Sequence, residues 1–85
     1  MSYGRRVDGN HAEVIDALRK SGWLVHDVSR MPGFVDLVAY HRGRGVLKLI
    51  EVKMAKGKLT ALQTLMRQEG WPVVVVHGRE EALAL

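Results

Sequence analysis

Three charged side chains, Asp36, Glu51 and Lys53, stand in runs that are otherwise apolar. The first run is Gly33-Phe34-Val35-Asp36-Leu37-Val38-Ala39-Tyr40 and the second is Val46-Leu47-Lys48-Leu49-Ile50-Glu51-Val52-Lys53. Arg42-Gly43-Arg44-Gly45 lies between them, rich in the glycine that tight turns need, so the two runs are expected to form a β-hairpin. Centring the turn between Gly43 and Arg44 sets Asp36 opposite Glu51, and Lys53, two residues beyond, shares the face of Glu51. Two carboxylates facing each other across a ladder repel unless a cation lies between them. As hard oxygen donors, Asp36 and Glu51 suit Mg²⁺, with Mn²⁺ as a substitute. A cation there lowers the pKa of a bound water and offsets developing negative charge, and a neighbouring ammonium orients that water or stabilises the transition state.

The segments around the hairpin must hold these groups in place. Asn10 is a good N-cap for a first helix running to about Ser21, and Glu13 stands where a capping-box partner would. Val14, Ile15 and Leu18 form its apolar stripe, and Gly22 fits the stop. His11, on the apolar side, reads as a packed residue. Trp23 to Val28 reads as a strand. His26 and Asp27, adjacent in it, point to opposite faces and cannot share an ion. Ser29-Arg30-Met31-Pro32-Gly33 turns into the hairpin. After a loop from Met54 to Leu59, Thr60 and Gln63 form a second capping-box pattern on a helix that ends before Gly70. Leu62, Leu65 and Met66 are expected to be its buried stripe. Pro72 to His77 reads as a buried strand, parallel or central, and Arg79 to Leu85 as a short terminal helix.

Asp36 followed by Glu51-Val52-Lys53 resembles the signature of the PD-(D/E)XK nucleases, with Val35 where a proline often stands. The run Lys56-Gly57-Lys58-Leu59-Thr60-Ala61-Leu62-Gln63 narrows the resemblance to the virus-type replication-repair nuclease (VRR-NUC) branch, in which a glutamine-bearing helix follows the E-x-K strand. The resemblance extends from about Asn10 to Val76. It implies a metal site of Asp36, Glu51, the Val52 carbonyl and Glu13, with Lys53 and Gln63 completing the catalytic set. It further implies hydrolysis of DNA phosphodiesters, a homodimer similar to the Holliday-junction resolvases, action on branched DNA, and a phage or mobile-element setting. Glu13 and Gln63 each keep a second reading, as helix caps.

The composition is compatible with that chemistry and excludes others. The chain has 85 residues, enough for one domain, and a formal net charge of +4, which favours a polyanionic partner. Candidate phosphate contacts are Arg5 and Arg6 in the lead-in, Arg30 before the hairpin, Arg42 and Arg44 in its turn, and Lys56 and Lys58 after it. Arg30 also suits a carboxylate partner. No recognition helix is evident, so base-specific reading is not expected. Cysteine is absent, which removes disulfides and thiolate metal sites. No run resembles a membrane span or a signal peptide, so a cytoplasmic location is expected.

The element order predicts a small α/β domain: α-β-β-β-α-β with a short C-terminal helix, a mixed sheet flanked by helices, and a PD-(D/E)XK-like core by resemblance. Helix-linked crossover places the last two strands parallel. Two other readings stand beside the metal-dependent endonuclease: a catalytically idle DNA-binding or assembly module, and a basic scaffold whose Asp36, Glu51 and Lys53 form a structural ion triad.

Overall fold

The computed structural model describes residues 10–54 and 57–85, so the expected contacts of Arg5, Arg6 and Lys56 lie outside the described residues. In chain order the elements are α1 (His11–Lys20), β1 (Trp23–Asp27), β2 (Leu37–His41), β3 (Val46–Val52), α2 (Ala61–Gln68), β4 (Val73–Val76) and α3 (Arg79–Leu83). The strands form one four-stranded sheet in the order β1-β2-β3-β4. The first two pairings are antiparallel and β3 pairs parallel with β4, as the helical crossover requires.

The hairpin register matches the centred turn. His41 pairs with Val46 and Leu37 with Ile50, with Arg42 to Gly45 as the connection. Gly45, at φ 64°, adopts the left-handed backbone that favours glycine, and its N–H closes on the His41 carbonyl at 2.8 Å. The first arm is shorter than expected: β2 starts at Leu37, not Gly33. Gly33, at φ 75°, turns the chain out of strand geometry, and residues 33–36 are held by backbone bonds of Asp36 to Val28 and Ile50 together with the side-chain bonds described below.

Strand alternation divides the sheet into two faces. On one, α1 and α3 bury Trp23, Leu37, Ala39, Ile50, Val52 and Val76 beneath Val14, Ala17, Leu18 and Ala82. Fully burying a side chain such as Leu18 contributes about 1.5–3 kcal/mol. On the other face a smaller cluster gathers Val35, Leu49 and Val73 with Val38, Leu59 and Met66. α2 covers only part of that face.

Two local expectations are corrected. No capping box forms on α1: the Asn10 side chain reaches across to donate to the His77 carbonyl at 2.8 Å, and Glu13 is exposed. Leu62 and Leu65 are 47% and 50% exposed rather than buried. The inward line of α2 runs Gln63 to Met66, because Gln63 is drawn under the helix by polar partners. Of the two alternatives for β4, parallel and central, the parallel one holds, and the strand lies at the sheet edge.

Candidate active site

Four side chains expected from the sequence converge where β3 emerges beneath α2. Glu51 is buried on the face that carries Leu49, next to the α2 N-terminus. Asp36 stands one residue before β2 and is half-buried. Its N–H donates to the Ile50 carbonyl at 3.1 Å, and its Oδ2 accepts the Val52 N–H at 2.9 Å. The aspartate thus replaces a ladder partner with its own carboxylate and is fixed against β3. Val52, expected to act through its carbonyl, contributes its N–H to this arrangement.

Gln63 is the clasp. The expected capping box on α2 is present: the Gln63 N–H donates to Thr60 Oγ1 at 3.1 Å, and Gln63 Oε1 accepts the Thr60 N–H at 3.0 Å. Its amide nitrogen donates to Glu51 Oε1 at 2.7 Å and to the Phe34 carbonyl at 2.9 Å. One side chain therefore caps its own helix, anchors the segment before β2 and holds the buried carboxylate. The capping reading is met by the backbone N–H and the amide oxygen of Gln63, and this leaves its amide nitrogen on Glu51 and the Phe34 carbonyl. The Phe34 carbonyl carries no sequence signal of its own; an unpaired stretch before a hairpin strand is the only hint.

Lys53 completes the cluster. Its Nζ lies 3.2 Å from Glu51 Oε2, and its side chain is one-quarter exposed while pairing with a buried charge. The stem of Lys53 packs under Gly57, where a Cβ would come within 2.7 Å of it. Burial holds the Glu51 carboxyl above the usual carboxylate range, and the negative charge of Asp36 pushes the same way; Lys53 and Gln63 oppose both. The site thus places a carboxylate at the solvent margin, a buried carboxylate that ionises reluctantly, and a cation beside it.

Asp36 and Glu51 fit a divalent cation as a two-carboxylate donor set. Mg²⁺ binds through one or two carboxylates and retains several waters, and each carboxylate oxygen can accept more than the bond it already has. A cation would also relieve the repulsion that raises Glu51. Among the described residues no group of three or more His, Cys, Asp or Glu is placed to hold a metal ion. The expected third carboxylate, Glu13, is therefore not brought to the pair. α1 packs on the opposite face of the sheet, over Ile50 rather than Glu51, and Glu13 lies exposed there.

The candidate phosphate contacts divide by distance. Arg30 and Lys58 are exposed in the loops on either side of the cluster. Arg42 and Arg44 occupy the far turn, roughly 16 Å along β3 from Glu51 at the rise of a strand. Arg44 is already engaged: its guanidinium lies 5.3 Å from the Trp23 ring centroid and donates to the Leu85 carbonyl at 3.1 Å. That turn is a structural corner in which His41 stacks edge-on against Trp23.

A second polar group under α1 was only partly legible. His11 is buried, as its position implied, and its Nε2 faces Asp27 Oδ2 at 3.5 Å, too long for a hydrogen bond. Asp27 Oδ1 accepts from both the N–H and the hydroxyl of Ser29, which holds its carboxyl below the usual range. His26 is exposed on the other face, so the adjacent pair does not converge.

No family model, curated protein or solved structure matches this chain.

Proposed function

We propose that the chain is a metal-dependent endodeoxyribonuclease of PD-(D/E)XK type, resembling the VRR-NUC branch, that hydrolyses phosphodiesters in branched DNA as a homodimer. The observation that carries this reading is the convergence of Asp36, Glu51 and Lys53 at one exit of the sheet, held by Gln63.

Asp36 and Glu51 would hold a divalent cation, which supplies a water of lowered pKa and charge neutralisation at the scissile phosphate. The chain's own groups do the remainder. Gln63 fixes the orientation of Glu51, so the site is ordered before substrate arrives. The Val52 N–H fixes Asp36 in the same way. The ammonium of Lys53, paired to Glu51 on a partly exposed side chain, is placed to orient an attacking water and to stabilise charge that develops on the phosphoryl oxygens. Exposed Arg30 and Lys58 on the flanking loops supply sequence-independent phosphate contacts, whose affinity falls as salt rises.

A second reading rests on the same geometry. Both oxygens of Glu51 already have partners within the chain, as a purely structural ion cluster would require. Incubating wild type and Glu51→Gln with linear and four-way-junction DNA, with Mg²⁺, Mn²⁺ or chelator, separates the two. The nuclease reading predicts ion-dependent cutting by wild type and none by Glu51→Gln with its fold retained. Ion-independent DNA binding without cutting by wild type would point instead to an idle binding module. Lower thermal stability of Glu51→Gln with no wild-type cleavage would point to a structural cluster.

A further inference from the structure

Among the described residues, the face of the sheet that carries Glu51 is only half covered. α2 lies over its β3–β4 side, where Val35, Leu49 and Val73 are buried. Among the described residues, nothing covers the β1–β2 side. Leu24, Tyr40 and Leu47 pair in register across three strands, forming one row at 53%, 40% and 46% exposure. The next row is His26, Val38 and Leu49. None of these six positions carries Asp, Glu, Lys or Arg. Beside them runs a groove of ≈ 170 Å³ against Leu24, Val38 and Tyr40. α2 stands above the sheet at its border and turns Leu62 and Leu65 outward.

We infer that this face binds a second copy of the chain, the α2 ridge of each copy lying in the open groove of the other. This deepens the homodimer in the proposed function by naming its surface, but it does not rest on the cleavage chemistry. Three observations carry it.

The first is charge. A two-fold contact presses a patch against its own image, so any net charge in the patch repels itself. The chain carries a net +4, yet these rows carry no formal charge. The same neutrality disfavours nucleic acid, whose affinity comes from Lys and Arg. The second is area. The open Leu24, Tyr40, Leu47, Leu62 and Leu65 present roughly 400–500 Å² of surface, close to the apolar share of one side of a standard interface of about 800 Å². The third is shape, because α2, with its exposed Leu62 and Leu65, and the groove belong to the same face, and a two-fold axis can pair each with the other.

The test is mass in solution. Light scattering should give about twice the 9.5 kDa chain mass for wild type. Leu47→Glu and Leu24→Glu alter exposed positions and should keep the far-ultraviolet dichroism of the fold. Each should weaken self-association by about 100-fold or more and leave monomer at the same concentration. Because the chain has no native cysteine, Tyr40→Cys reads the contact directly. Under mild oxidation it should form a covalent dimer about 10-fold faster than Ala12→Cys on the exposed side of α1. Wild type at monomer mass up to about 1 mM would overturn the inference. So would folded glutamate variants that remain dimeric, or equal cross-linking at the two positions. None of these readouts involves DNA cleavage, so a failed nuclease assay leaves them unaffected.

Discussion

Replacing Gln63 by Ala removes the side chain that ties three segments together, and its cost can be built from the bonds lost. The Phe34 carbonyl and the Thr60 N–H each lose a partner. Neutral bonds of this kind contribute about 1 kcal/mol each. Glu51 Oε1, at 2.7 Å, loses a donor to a buried carboxylate, worth about 1.5–3 kcal/mol. The sum is roughly 3–5 kcal/mol, and water entering the vacated space offsets part of it. A small domain holds only about 5–15 kcal/mol in total, so the change takes a large share of the stability. Urea unfolding followed by tryptophan fluorescence measures it, since Trp23 is buried. With a slope of about 1 kcal/mol per molar, the midpoint should fall by roughly 3 M, or the variant should be partly unfolded in buffer. The charged component is identified by repeating Gln63→Ala in a Glu51→Gln background. There the acceptor is neutral, and the cost should be about 1 kcal/mol smaller. A loss below about 1 kcal/mol in the wild-type background, or an identical loss in both, would refute the clasp.

Two further outcomes follow from the same geometry. Glu51 titrates above its ordinary range in the folded chain because of burial and Asp36. Its contribution to stability is therefore complete below the unfolded pKa of about 4.3 and lost as pH rises through the folded value. Glu51→Gln has no such loss, so its stability should gain on that of wild type as pH rises from about 4 to 7, each unit of separation being worth about 1.4 kcal/mol; denaturation at several pH values measures this, and a flat difference counts against it. Gly22→Ala should destabilise by about 1–3 kcal/mol, because Gly22 sits at φ 96° and a Cβ there would lie 2.9 Å from His41 Nε2; an unchanged melting temperature would contradict that reading.

The hairpin was legible because its signals are local and mutually consistent. Two alternating apolar runs around a glycine-bearing turn fix one register, and the observed rungs follow it. The Thr60–Gln63 box was legible for the same reason, since both partners lie within one turn of helix. The similar Asn10–Glu13 pattern misled. A local cap competes with any distant acceptor, and the Asn10 side chain instead bonds the His77 carbonyl, brought close only by the folding of α3 onto α1. Glu13 shows the same limit on a larger scale. Nothing in a helix says which face of a sheet it will cover, and α1 covers the one that Glu51 does not face. The apolar periodicity of α2 pointed inward at Leu62 and Leu65, but Gln63 has two polar partners beneath the helix, the Phe34 carbonyl and Glu51, and takes the inward position. A hydrophobic stripe identifies a face that is buried somewhere, and here the partner surface need not belong to the same chain.

Lys53 offers the most direct measurement, because among the cluster members it is neither a proposed cation ligand nor wholly buried. The initial rate of Mg²⁺-dependent cleavage of a four-way junction is compared for wild type and Lys53→Ala, both shown to be folded at the assay temperature. The proposed chemistry predicts ion-dependent cleavage by wild type and a loss of at least about 100-fold in the variant. Equal rates for the two proteins, or no cleavage by wild type with either ion, would contradict it.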